Sequence, residues 1–209
     1  MIIHVFSQAG CDEDRCRQCY YSLMSRAGFV LAGGLSSRMG RDKAMLTAHG
    51  STLLELAVRE VLAAAGNVTV IAPPDRYAKF GWLLIPDLQP GQGPLGGILT
   101  ALTHSQADWN LVVACDMPAI KSPFLRQLLQ QAEASDADCL IPQNAMGRLE
   151  PLCAVYHGRC LAAIARAMQA GVRKVTTGLR ELRVAAFQPT TPDLFTNLNT
   201  PQDWSDHNA

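Results

Sequence analysis

Between Leu31 and Lys43 the chain reads Leu-Ala-Gly-Gly-Leu-Ser-Ser-Arg-Met-Gly-Arg-Asp-Lys, directly after the apolar stretch Phe29-Val30-Leu31. These residue types suit a phosphate chain. Gly33 and Gly34 let backbone N–H groups come close to an anion and can adopt φ > 0. Ser36 and Ser37 add donors without bulk, Arg38 offers a planar fork, and Lys43 a point charge. A strand feeding such a loop is the usual way an α/β sheet presents amides to a polyphosphate. The run is neither a P-loop nor a dinucleotide fingerprint: Gly34 and Gly40 are too far apart, no Lys follows Gly40, and no Gly-x-Gly-x-x-Gly is present.

Two carboxylates stand in comparable places further on. Asp116 follows the apolar run Leu111-Val112-Val113-Ala114-Cys115 and precedes Met117-Pro118. A carboxylate at a strand end, held by a rigid proline, suits Mg²⁺, which prefers one or two carboxylates with phosphate oxygens and water. Asp87 comes just after the short apolar Leu83-Leu84-Ile85 and before Gly93-Pro94-Leu95-Gly96-Gly97, whose glycines permit close approach to a planar ring. Asn197 and Asn199 can donate and accept hydrogen bonds, but asparagines before Thr-Pro are also ordinary turn formers. Cys11, Cys16 and Cys19 have a C-x4-C-x2-C spacing without an obvious fourth ligand, and structural zinc sites need four. His49, His104, His157 and His207 sit in no nucleophile–base pattern. Cys115, Cys139 and Cys153 lie in apolar runs and read as small buried hydrophobes, not nucleophiles.

Positioning these residues requires a scaffold, and from Ala27 onward short β-like and helical segments alternate, which argues for βαβ units and a mainly parallel sheet. Strands are expected at Phe29–Ala32, Val68–Ala72, Leu83–Ile85, Trp109–Ala114, Cys139–Pro142, Leu152–Tyr156 and Val184–Phe187. A helix is expected over Thr52–Ala65. Thr52 and Glu55 form a capping-box pattern there, Gly66 supplies the stop, and Leu54, Ala57, Val58, Val61 and Leu62 form the sheet-facing stripe. Further helices are expected from Gly96 to Thr103, Pro123 to Ala134 and Arg159 to Ala170. In open α/β sheets ligands sit beyond the carboxyl ends of the strands. The Gly33 loop, Asp87 and Asp116 would all lie on that edge and form one site.

A chain of 209 residues is large enough to bury a real core, and 18 basic against 18 acidic residues gives no pull towards nucleic acid or a membrane surface. No apolar run approaches the roughly 20 residues of a membrane span. The polar Cys11–Arg17 stretch is unlike a signal-peptide core, and the seven scattered cysteines suit a reducing compartment, so a cytoplasmic protein is expected. Met24 opens a natural start, so residues 1–23 read as an appendage of unknown role and 24–209 as a single domain.

The run Leu31-Ala32-Gly33-Gly34-x-Ser36-x-Arg38-Met39-Gly40-x-Asp42-Lys43 resembles the signature of the nucleotidyltransferases related to molybdenum cofactor guanylyltransferase. Gly93-Pro94-Leu95-Gly96-Gly97, Cys115-Asp116-Met117-Pro118, Glu150-Pro151-Leu152 and Asn197-Leu198-Asn199-Thr200-Pro201 follow that family's order. The resemblance implies a Rossmann-like three-layer α/β/α fold of the nucleotide-diphospho-sugar-transferase type. It implies Mg²⁺-dependent transfer of GMP from GTP to the terminal phosphate of molybdopterin, with Arg38, Lys43 and Asp116 catalytic and Asp116 the magnesium ligand. Leu31, Ala32, Gly33, Gly34, Lys43, Asp87, Gly93, Pro94, Leu95 and Asp116 are then expected at the nucleotide, and Arg148, Glu150, Asn197 and Asn199 at the acceptor. Transient contact with a molybdoenzyme or a cofactor-handling protein would follow. Where the guanylyltransferases can carry an asparagine after the second strand, this chain has Ile71-Ala72-Pro73-Pro74, which keeps a CTP-using cytidylyltransferase open. A non-catalytic accessory that holds nucleotide or cofactor is the alternative from another class.

Overall fold

The fold is seen in a computed structural model that describes residues 25–33, 42–48, 50–189 and 194–195. Residues 1–23, with Cys11, Cys16 and Cys19, lie outside the described residues.

A seven-stranded sheet forms the middle layer. Its strands are β1 (Arg26–Leu31), β4 (Thr69–Ile71), β5 (Leu84–Ile85), β6 (Trp109–Ala114), β7 (Cys139–Pro142), β8 (Cys153–His157) and β9 (Val184–Phe187). A small antiparallel ribbon, β2 (Thr47–Ala48) with β3 (Ser51–Thr52), stands apart from it. The order across the main sheet is β5-β4-β1-β6-β8-β7-β9, and β8 alone runs antiparallel to its neighbours. The expectation of a mainly parallel sheet therefore holds, and the helices that connect parallel strands cover both faces.

Period-2 alternation sorts the core. Val30, Leu111, Val113, Leu140 and Val155 point to one face, where they meet Leu54, Val58 and Val61 of α1 (Leu53–Ala65) and Leu125, Leu128 and Leu129 of α4 (Ser122–Glu133). Phe29, Val112, Ile141, Ala154 and Tyr156 point to the other, against Leu95 and Ile98 of α3 (Pro94–His104) and Cys160 and Ile164 of α5 (Cys160–Gln169). Two one-turn helices, α2 (Pro74–Tyr77) and α6 (Val175–Gly178), complete the set.

The capping box is present at α1. Thr52 Oγ1 accepts from Glu55 N, and Thr52 N donates to Glu55 Oε2 at 2.7 Å. Gly66 closes the helix in the left-handed region at φ 82°, donating to Leu62 O. One residue of the expected stripe falls elsewhere: Leu62 is exposed, and Ala64 and Ala65 fill the inner face. Strand β1 begins earlier than expected, because Arg26 pairs with Trp109 and its charge is neutralised by Glu133 of α4 in a two-pronged ion pair. Gly28 is required where β1 passes under α1, since a Cβ there would sit 2.5 Å from Val61 Cγ1 and 2.6 Å from Asn67 O.

Candidate active site

Strand order reverses between β1 and β6, with β4 and β5 on one side and β8, β7 and β9 on the other. Loops leaving two such strands diverge to opposite faces and leave a crevice at the carboxyl edge. The structure has a cleft of about 420 Å³ there. Its lining joins Leu31 at the end of β1 with Ala32 and Gly33 just past it, Ile71 in β4, Asp87 after β5, and Gly91, Gly93, Pro94 and Gly97 around the start of α3. Ala114, Cys115 and Asp116 at the end of β6, with Asp42, Lys43, Ala44 and Leu152, close it. Residues separated by more than eighty positions thus share one cleft because most of them stand at or near the cleft-side end of a neighbouring strand.

The β1 wall is built on backbone pairing. Ala32 N donates to Ile71 O at 3.0 Å, and Cys115 N donates to Leu31 O at 3.2 Å, so the first residues past the strand stay in register with both neighbours. Gly33 does not adopt the left-handed backbone that glycine would permit. Among the described residues a Cβ on it would meet nothing nearer than Ile71 O at 3.8 Å, so their packing leaves that space open. Left-handed backbone is used instead at Gly91 and Gly93, with φ of 77° and 75°, where the chain turns into α3. Pro94 then occupies the first turn of the helix, where its missing N–H costs nothing.

Asp42 and Lys43 begin a short 3₁₀ turn, Lys43–Met45, that Asp42 caps through Oδ1 and Ala44 N at 3.1 Å. The other oxygen, Oδ2, accepts from the Tyr77 hydroxyl at 2.6 Å. Across the cleft, Asp87 Oδ1 accepts from Gln89 N at 3.0 Å and from Thr100 Oγ1 at 2.8 Å. Its Oδ2 has no hydrogen-bond partner among the described residues. Thr100 is fully buried in α3 and also accepts from Leu88 N, so the same hydroxyl fixes the loop that carries Asp87.

Asp116 sits on a loop anchored by the buried Met117 and Ile120. The loop ends at α4, whose first amide, Ser122 N, donates to Glu60 of α1 at 2.9 Å. Burial pushes the Asp116 carboxyl above the usual carboxylate range, and the nearby Lys43 ammonium pulls it back. Cys115 beside it is pushed up to about 12, first by burial and then by Asp116 and Asp42, so its sulfur stays a thiol at neutral pH. Among the described residues no group of three or more His, Cys, Asp or Glu gathers that could hold a metal with protein ligands alone. One partly desolvated carboxylate beside an open cleft fits a hard divalent cation that takes its other ligands from phosphate and water.

Of the expected nucleotide residues, Leu31, Ala32, Gly33, Lys43, Asp87, Gly93, Pro94 and Asp116 come together in this cleft. Leu95 lies outside the lining: its side chain is fully buried, and a Cβ on Gly178 would lie 2.8 Å from it, so its backbone is the part that could serve a ligand. Arg148 and Glu150 stand on the same sheet edge, in the turn between β7 and β8, but outside the lining of the cleft. That turn is self-contained. Asn144 Oδ1 accepts from Met146 N and Arg148 N, both at 3.0 Å, and Asn144 Nδ2 donates to Glu150 Oε1 at 2.8 Å. Burial raises the Glu150 carboxyl, against the Asn144 bond and the Arg148 charge. Gly34, Arg38, Asn197 and Asn199 lie outside the described residues. Tyr77 and Thr100 are site residues that sequence reasoning misses. The signal for them is slight: a hydroxyl in an otherwise apolar helical run, Ile98-Leu99-Thr100-Ala101-Leu102, and an aromatic just after Pro73-Pro74.

A family model described as the MobA-like NTP transferase domain matches residues 28–184. A probable molybdenum cofactor guanylyltransferase from Nostoc is 34% identical over 180 residues, covering 83% of this chain and 86% of the relative. One from Synechococcus elongatus is 35% identical over 189 residues, covering 87% and 97%. The crystal structure of molybdopterin-guanine dinucleotide biosynthesis protein A from Archaeoglobus fulgidus superposes with a TM-score of 0.75 at 27% identity, covering 87% of this chain and 96% of that one.

Proposed function

The chain belongs to the MobA-like NTP transferase family and is a nucleotidyltransferase; from there we propose that it moves GMP from GTP to molybdopterin, or its molybdenum form. In this reading an oxygen of the acceptor's terminal phosphate attacks the α-phosphorus of GTP. The new P–O bond forms as the bond to the β-phosphate oxygen breaks, pyrophosphate leaves, and the guanine dinucleotide cofactor is the product. Such a reaction needs alignment and charge stabilisation more than covalent catalysis.

The observation that carries the reading is the convergence of Gly33, Lys43, Asp87 and Asp116 in one cleft at the strand-order reversal. The open space beside Gly33 and the amides at the start of α3 suit the nucleoside end, with Asp87 Oδ2 available to ribose or base. Lys43, with Arg38 from the same signature, offsets charge on the α-phosphate and the departing pyrophosphate. Asp116 would hold Mg²⁺, which when bound neutralises charge on the phosphate oxygens. Arg148 and Glu150, on the turn after β7, and Asn197 and Asn199, further along the chain from β9, are assigned to the acceptor. Both strands end at the edge that bears the cleft, since Gln143 N donates to Phe187 O there. The guanylyltransferase names of the relatives support GTP as donor.

One observation favours a second reading, with CTP as donor. The wall beside Gly33 is made by Ile71 O, Ala72 and Pro73, which offer no side-chain hydrogen bond for a base. The deciding experiment is pyrophosphate release with Mg²⁺ and molybdopterin, comparing GTP, CTP, ATP and UTP. Preference for GTP is expected, preference for CTP moves the protein to cytidylyl transfer, and no turnover with any of the four overturns the reading.

A further inference from the structure

Tyr77 occupies an unusual place relative to the glycine-rich segment. That segment leaves β1 at Ala32 and Gly33 and returns at Asp42. The Tyr77 hydroxyl stands 3.4 Å from Ala32 O and 2.6 Å from Asp42 Oδ2, so a single polar atom faces both the departure and the return. It has one proton to donate. The shorter contact and the negative charge assign that proton to Asp42. The ring is fully buried in the core, at the end of α2, so the hydroxyl is held by packing. Among the described residues Asp42 has only this bond on Oδ2, while its Oδ1 caps the 3₁₀ turn that begins with Lys43.

From these contacts we infer that Tyr77 is a positioning residue for nucleotidyl transfer, acting through Asp42 to set the placement of Lys43. The inference rests on the nucleotidyl-transfer reading above and adds a residue to it. Holding Asp42 fixes the start of the turn that carries Lys43, and a small displacement of a charge-stabilising group is costly in rate. Asp42 also lies in the electrostatic surroundings of Cys115, so the tether bears on the same corner of the cleft as Asp116.

The test is a double-mutant cycle on the full chain with Tyr77→Phe, Asp42→Ala and the pair, at a temperature well below unfolding of all three. Tyr77→Phe keeps the ring and is expected to lower kcat about tenfold, with a smaller change in KM for the acceptor. In the Asp42→Ala background the same change is expected to alter kcat less than twofold, because the route runs through Asp42. Amide exchange supplies a readout independent of turnover: in Tyr77→Phe the peptide containing Ala44 and Met45 exchanges faster while β6 is unchanged. Unchanged kcat, an equal loss in both backgrounds, or unchanged exchange at Ala44 overturns the inference. If the parent protein turns over no nucleotide, the functional reading fails, and the exchange result still decides whether Tyr77 tethers this segment.

Discussion

The two halves of the sheet handle polar groups in opposite ways. On the side of β5, β4, β1 and β6 every strand is parallel to its neighbour, so every carboxyl end opens onto one edge and the charged residues there face a common cleft. On the side of β8, β7 and β9 the chain doubles back through an antiparallel strand, and several of its polar groups bond to one another. Asp138 accepts from Arg183 N and from the Arg183 guanidinium at 3.1 Å and forms an ion pair with Arg159 Nε at 2.7 Å, while Asn144 ties the Arg148 backbone and Glu150 into one turn. The comparison teaches that parallel strands converge their loops on a ligand, whereas a hairpin satisfies its own groups and stiffens a wall.

The largest effect is expected where the parallel half bears on phosphate. Asp116→Ala and Lys43→Ala should each reduce pyrophosphate release by a hundredfold or more while leaving the thermal transition near that of the parent. Near-parental rates in both would mean that the cleft is not the reacting centre. Acidification should separate the halves next. The raised Asp116 carboxyl protonates at a higher pH than an ordinary carboxylate, so kcat/KM falls early in an acid titration. Its burial costs stability when ionised, and protonation relieves that cost. Asp138 has the opposite sign: its arginine partners hold it below the usual range, so its stabilisation is present above the unfolded value and lost only as pH falls through the lower, folded one. A pH window of folded but inactive protein is expected, read by circular dichroism beside the rate profile. Coincident loss of both would break the distinction.

A tenfold rise in KM for the nucleotide is expected for Thr100→Val, which removes the hydroxyl orienting Asp87 and strands Leu88 N, whereas Thr100→Ser should retain most of the affinity. The smallest change belongs to the hairpin. Arg148→Ala should raise KM for the acceptor a few-fold and leave KM for the nucleotide unchanged, since its side chain lies outside the cleft lining. An equal change in both constants would draw the hairpin into the nucleotide site.

Much of the parallel half is legible in the amino-acid sequence. The alternation of segments, the Thr52–Glu55 capping box and the strand at Trp109–Ala114 are all present in the fold. Element ends are less legible. The pattern starts α3 at Gly96, but the helix begins at Pro94, because proline is tolerated in the first turn. Likewise β1 starts at Arg26 because a distant glutamate neutralises its charge. Nothing local announces that β8 runs antiparallel, since a buried strand reads the same in either direction.

The sequence by itself determined which residues could handle phosphate and that each would stand just past a strand, because glycines, hydroxyls and charges carry their chemistry with them and the apolar periods carry the strands. Only the tertiary structure decided which of them meet. Asp42 and Tyr77 are 35 positions apart and Asp87 and Thr100 are 13, and their pairings exist because buried hydroxyls in α2 and α3 are delivered to the cleft by packing against the sheet. It also buried the Leu95 side chain in the core and tied Glu150 and the Arg148 backbone to Asn144 in one turn. A side chain's type is local, but whether it faces ligand, core or neighbour depends on contacts between segments that no short stretch of chain contains.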